Sequence, residues 1–214
     1  MTRVTVLGGT GYAGRFIVEK AARAGYDVRS LSRSEPSDPV AGVSYVTGSL
    51  LDSAVRQQAI ANSDIVIGAL SPRGELTHEL EAVYADVARR ADAAGVRLGI
   101  VGGWGALRPT EGAPRYWLGE LSPEYAEEAT TMGRVLDWFI ESAPESLDWF
   151  FVSPAAMFGD FAPGEDTGNY RIGTDIELLD ASGQSAIGGA DFATAIVAEI
   201  TSPHHHRVQF SVAY

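Results

Sequence analysis

Cysteine is absent from the 214 residues, and lysine occurs once, at Lys20, among 16 basic residues. The first absence excludes disulfides, thiolate nucleophiles and cysteine metal sites. The second excludes a Tyr-x-x-x-Lys pair, because the residue four before Lys20 is Phe16. Where an alkoxide forms as hydride reaches a carbonyl, such a pair can supply the proton from a tyrosine whose pKa the lysine lowers, so alcohol dehydrogenation and sugar epimerisation by that route are disfavoured. Positive charge is short as well: the formal net charge is −12, which disfavours nucleic acid or an anionic membrane as partner. No run reaches the roughly 18 apolar residues of a membrane span, and Met1-Thr2-Arg3 leads into an apolar segment rather than a signal peptide, so a cytoplasmic location is expected. The run His204-His205-His206 has no acidic partner at helical spacing. It is expected to be an exposed loop, with no metal.

What is present begins with Val4-Thr5-Val6-Leu7, which breaks into Gly8-Gly9-Thr10-Gly11-Tyr12-Ala13-Gly14, three glycines spaced three apart ahead of an amphipathic helical pattern. This is the pattern of a dinucleotide-binding turn. Gly8 lets the chain turn off the strand, Gly11 lets backbone approach a diphosphate, and Gly14 lets helix pack on strand. A helix starting near Tyr12 aims its free amides and positive dipole end at the anion. Gly8, Thr10, Gly11, Tyr12, Ala13 and Gly14 are therefore expected to hold a cofactor.

The stripe Phe16, Ile17, Ala21 and Ala24 is helical and stops at Gly25, and Val28 to Leu31 is a second strand. Further strands are expected at Val43–Val46, Ile65–Ile67, Leu98–Val101 and Trp149–Val152, with helices over Ala54–Ile60, Thr77–Ala94 and Tyr125–Ser142 between them. This alternation predicts an α/β fold with a doubly wound parallel sheet, since parallel neighbours need crossover helices. A helix over Asp191–Ile200, capped by Asp191, and a strand over Val208–Val212 close the chain. Residues 1–214 fit one domain, in which 154–190 contribute a small cap on the substrate side. At the end of the second strand, where a carboxylate would accept the ribose diol of NAD, stand Ser32 and Arg33. Arginine pairs with a 2′-phosphate, so NADP is expected, with NAD left open; nearby Glu35 also suits Arg33 as an ordinary solvated loop charge. Ligands in open α/β sheets lie outside the carboxyl ends of the strands. Ser49 and Leu50 are accordingly expected at the adenine, Gly68, Ala69 and Leu70 at the ribose and diphosphate, and Gly102, Gly103 and Trp104 near the nicotinamide, with Pro154 and Ala155 completing the cofactor set.

The segments Gly8–Gly14, Val101-Gly102-Gly103-Trp104-Gly105, Leu147–Ala155, Gly164–Arg171 and Phe210–Tyr214 resemble the atypical short-chain dehydrogenases, in particular the NADH-flavin reductase group close to NmrA-like proteins and biliverdin reductase B. The resemblance covers nearly the whole chain, with a departure at Trp104-Gly105-Ala106, where the group more often has small residues. It implies transfer of hydride from NAD(P)H to a flavin, quinone or similar planar small molecule, whose conjugated ring spreads charge without a Tyr-Lys pair. Trp104, Met132, Ser153, Pro154 and Phe158 would wall the acceptor pocket. No catalytic residue is assigned. His78 and the aromatic residues Tyr116, Trp117, Tyr125 and Tyr170 near the cap are candidates that nothing in the sequence separates, and both monomer and homodimer are compatible. The same resemblance leaves a noncatalytic NADP-binding sensor as the alternative, and an isomerase or lyase as a third reading.

Overall fold

The computed structural model describes residues 1–214, built as an eight-stranded sheet between two helical layers. The strands are β1 (Arg3–Leu7), β2 (Asp27–Ser32), β3 (Ser44–Thr47), β4 (Ile65–Gly68), β5 (Arg97–Val101), β6 (Trp149–Pro154), β7 (Arg171–Gly173) and β8 (Val208–Ala213). Their order is β3-β2-β1-β4-β5-β6-β8-β7. All pairings are parallel except β7 with β8. The chain works outward from β1 to β3 and then returns beside β1 as β4. That reversal opens a crevice between β1 and β4 at the carboxyl edge, the switch point where ligands of open α/β sheets lie.

The central strands are buried on both faces, as parallel strands covered by helices must be. In β6 every residue from Trp149 to Pro154 is buried. One face packs under α1 (Tyr12–Arg23) and α5 (Gly189–Thr201), the other under α2 (Ser53–Ile60), α3 (Leu80–Ala94) and α4 (Pro123–Glu141). Each helix buries one stripe at helical spacing: Gly14, Ile17, Val18 and Ala21 in α1, and Met132, Val135, Leu136 and Phe139 in α4. A fully buried side chain such as Phe139 or Phe151 stabilises by about 1.5–3 kcal/mol relative to exposure.

The structure departs from the sequence reading at element ends and in the tail. Helix α3 starts at Leu80 rather than Thr77, because Gly74–Leu76 forms a separate 3-10 turn whose Gly74 carbonyl accepts the Thr77 hydroxyl at 2.8 Å. Helix α4 starts two residues before Tyr125, with Pro123 in the first turn, where its missing N–H costs nothing. Strand β7 went unanticipated, being three residues long and without an apolar alternation of its own. Helix α5 is capped by Gly188, not Asp191. A Cβ on Gly189 would stand 2.3 Å from the Phe16 ring, so α1 and α5 meet through this glycine. The expected cap over 154–190 divides in two. Residues 160–168 strap α1 through Arg15–Asp160 at 2.8 Å, Lys20–Asp166 at 2.7 Å and the Tyr12 hydroxyl donated to the Pro163 carbonyl at 3.3 Å. Residues 171–177 extend the sheet and lie against the segment after β5, where Arg108 N donates to Asp175 O at 2.8 Å and Glu177 N to Arg108 O at 2.9 Å.

Candidate functional site

At the carboxyl end of β1 the chain turns through Gly8, which has φ +78° and donates its N–H to Leu31 O at 2.8 Å. A Cβ there would stand 2.3 Å from Ala69 O, so the turn also needs glycine to pass the segment after β4. Gly14 is equally constrained: its Cβ would lie 2.1 Å from Gly8 O. Gly11 is different. It is exposed, its φ of −74° suits any residue, and a Cβ would meet only Gly8 O at 3.2 Å. The protein's own packing does not require glycine at 11, and the outer side of the turn is open there. Gly11 caps α1 with no side-chain bond, which leaves the first-turn amides of Tyr12 and Ala13 facing outward at the positive end of the helix. These features fit a diphosphate.

Other expected cofactor residues separate into an open lip and buried supports. Arg33 is exposed and enters no ion pair; its Nη1 lies 2.8 Å from where a Cβ on Gly74 would stand. Ser49, Ala69, Leu70, Gly102 and Gly103 are partly open. Ser32, by contrast, is buried and accepts the Thr10 N–H at 3.1 Å, so it props the glycine turn instead of facing a ribose. Leu50 belongs to the core. Gly68 is buried against Tyr84, whose hydroxyl donates to Gly68 O at 3.0 Å and meets Leu70 N at 3.4 Å. Burial raises the Tyr84 phenol and keeps it un-ionised. Tyr84 thus shapes the turn after β4, a role no local pattern announces. Pro154 and Ala155 are buried in the strand end and the start of the next segment.

The expected acceptor walls change more. Met132 is 3% exposed, one of the α4 stripe that packs on the sheet. Ser153 is fully buried, its hydroxyl accepting from Gln209 Nε2 at 2.9 Å. The β6–β8 register sets Ser153 beside Ser211, deep under the network in which Arg115 donates to Ala106 O and to Gln209 Oε1. Phe158 packs edge-on to Tyr12 at 5.1 Å and tilted to Phe192 at 4.6 Å, joining the tail to α1 and α5.

Trp104 remains. It follows the open Gly103 at the end of β5, stacks on Tyr116 with ring centroids 4.2 Å apart at 22°, and donates its indole N–H to Glu177 Oε1 at 2.6 Å. The Tyr116 hydroxyl donates to Glu177 Oε2, also at 2.6 Å. One carboxylate therefore clamps two stacked rings. Burial, and then the bond and charge of Glu177, push the Tyr116 phenol up to about 12. Glu177 was not anticipated, since it lies 73 residues from Trp104.

The remaining candidates fall elsewhere. His78 is exposed beside a cleft of about 550 Å³ between α3 and α4 that takes in none of the glycine-turn residues. Tyr125 is half exposed, while Trp117 packs over Gly133 of α4. Tyr170 is half-buried and packs on the α1–α5 core. Asp191 takes the Thr167 N–H at 3.0 Å, the Thr167 hydroxyl at 2.7 Å and the Gly168 N–H at 2.7 Å, holding the strap. Of the three consecutive histidines, His205 is half-buried, bonded to Glu199 at 2.7 Å and stacked on Phe210, so it is part of the packing at the amino end of the sheet.

A strand–glycine turn–helix at the switch point of a doubly wound sheet defines a dinucleotide-binding protein of the Rossmann class. The chain belongs to the NAD(P)H-binding family, which matches residues 8–203. It is similar over its whole length to the crystal structure of a "putative exported protein" from Burkholderia pseudomallei, with 32% identity, a TM-score of 0.86 and 100% of both chains covered. A "putative NADH-flavin reductase" from Streptococcus pneumoniae TIGR4 has 26% identity and a TM-score of 0.84, over 100% of this chain and 99% of that one. YwnB of Bacillus subtilis (strain 168) is 29% identical across 98% of this chain and 97% of its own. The isoflavone reductase homolog IRL of Zea mays is 38% identical over 80 residues, 32% of this chain and 26% of its own length. These likenesses place the chain among the atypical short-chain dehydrogenases. No helix is long and apolar enough to cross a membrane.

Proposed function

We propose that this protein is an NADPH-dependent reductase of a flavin, quinone or similar planar conjugated acceptor. The observation that carries the reading is the stacked Trp104–Tyr116 pair, clamped by Glu177 at the end of β5, on the side of the crevice where the nicotinamide of a nucleotide held at β1 would point. Bound NADPH supplies the hydride. The turn from Gly8 to Gly14 holds the diphosphate on outward-facing amides, and the unpaired Arg33 receives the 2′-phosphate through charge-assisted bonds. The aromatic pair offers a flat face on which an acceptor ring stacks, and excludes water from it.

Neither Lys20 nor Tyr116 is placed to give a carbonyl substrate its proton. Lys20 is spent on Asp166 in the strap. The proton of Tyr116 is committed to Glu177, and its raised pKa makes it a poor acid. An acceptor that delocalises the incoming charge fits such a site; a ketone does not. The similarity to a protein described as an NADH-flavin reductase points the same way. A supply of reduced dinucleotide suits action in the cytoplasm. The test is NADPH oxidation by the purified chain with and without FMN or menadione. Oxidation that depends on the added acceptor supports the reading, whereas tight NADPH binding without oxidation by either acceptor overturns it in favour of a nucleotide sensor.

A further inference from the structure

We propose that Glu75 recognises the adenine amino group of the bound nucleotide. The inference rests on the nucleotide-binding reading above and adds the specificity of its adenosine end. Segments leaving three strands converge there. Arg33, after β2, brings its guanidinium against Gly74. Ser49, after β3, donates its hydroxyl to Glu75 Oε1 at 2.9 Å, and Glu75 itself follows β4 in the 3-10 turn Gly74–Leu76. With the diphosphate at β1, the adenosine extends over the carboxyl ends of β2 and β3, alongside this convergence.

The hydrogen-bond inventory decides which group can read the base. The Ser49 hydroxyl gives its proton to Glu75 and accepts the Leu51 N–H at 3.1 Å, so its donor is spent within the protein. Glu75 is half-buried, is in no ion pair, and has no protein donor on Oε2. Ser49 steers that carboxylate by holding its other oxygen. An ionised carboxylate only accepts, and Arg33 only donates. The wall therefore presents one acceptor and one donor group, matching a ligand with an amine at one point and a phosphate at another. Adenine carries a donating amine at C6, while hypoxanthine carries an accepting carbonyl there and would face Glu75 with like polarity.

Titration of the full chain with NADPH and with its deaminated hypoxanthine analogue, followed by nucleotide fluorescence or calorimetry, tests this directly. Wild type should bind NADPH about tenfold or more tighter than the analogue, the size expected for a bond to a charged acceptor. In Glu75→Gln the amide both accepts and donates, so the gap should narrow to about threefold or less, mainly through tighter binding of the analogue. Equal affinities in wild type overturn the proposal. So does a Glu75→Gln variant that alters the ratio of NADPH to NADH affinity and leaves base discrimination intact, because the carboxylate then faces the ribose. If a folded wild-type chain, verified by its thermal melt, binds neither nucleotide, the nucleotide-binding reading itself fails, an outcome distinct from the loss of base discrimination alone.

Discussion

Alanine at position 11 and alanine at position 14 add the same methyl group to the same turn and should damage different things. At Gly14 the new Cβ would fall 2.1 Å from Gly8 O and 2.8 Å from Gly9 Cα, both backbone atoms that no rotamer change can move. Overpacking of this kind costs about 2–3 kcal/mol, which for a chain of this size lowers Tm by roughly 4–12 °C. At Gly11 the Cβ meets one atom at 3.2 Å, and the backbone angles are open to alanine. The cost there is the weaker N-cap, about 1 kcal/mol or less, or at most about 4 °C. Binding should respond in its own way. A methyl at Gly11 displaces the diphosphate from the amides of the first turn and weakens charge-assisted bonds of about 1.5–3 kcal/mol, so NADPH affinity should fall tenfold to a hundredfold in Gly11→Ala. Circular dichroism melts and NADPH titrations on the two variants give the comparison. The reasoning is wrong if Gly11→Ala binds like wild type, or if it melts as early as Gly14→Ala.

Three further outcomes follow from the same geometry. Arg33→Asp should weaken NADPH tenfold or more and leave NADH much less affected, as removal of a phosphate partner requires; an equal effect on both coenzymes in a binding titration counts against the 2′-phosphate assignment. Glu177→Gln removes the charge that helps hold the Tyr116 phenol up at about 12, so one tyrosine should titrate closer to 10 in an ultraviolet pH titration, and KM for menadione should rise as the Trp104–Tyr116 pair loosens; an unchanged tyrosine titration refutes the clamp. At Asp191, burial opposes ionisation, but the bonds from Thr167 and Gly168 outweigh it and hold the carboxyl below its usual 3.8. The stabilisation is therefore present above that value and lost as pH falls through the folded-state pKa. Asp191→Asn should cost roughly 1–3 kcal/mol at neutral pH, the gap to wild type closing in acid; a gap independent of pH in urea titrations at several pH values contradicts it.

What could be foreseen from residue order was whatever is written locally. The strands of the parallel sheet are short β-branched and apolar runs, the helices have their stripes, and the glycine turn declares itself by spacing, so the doubly wound fold and its crevice were legible. Contacts across the chain were not. Glu177 meets Trp104 over 73 residues and Tyr116 over 61, and nothing near any of the three signals the other two. Ser153 was expected at the acceptor pocket as the resemblance implied, yet pairing with β8 buries it. Met132 shows the opposite failure. Its spacing with Val135, Leu136 and Phe139 already marked a core stripe, and that local signal outranked the pocket role given to it. Asp191 had the residue type of a cap, but the need for glycine between α1 and α5 moved the helix start two residues back.

Scarcity of lysine has a practical corollary. The chain's one side-chain amine sits on the helix that carries the glycine turn and is closed off by Asp166 of the strap. Within these residues the only side-chain amine that an amine-directed reagent can acylate is Lys20, and its rate there gauges how often the contact with Asp166 opens. Slower acylation with dinucleotide present would show that occupying the turn tightens the segment on the far side of its helix.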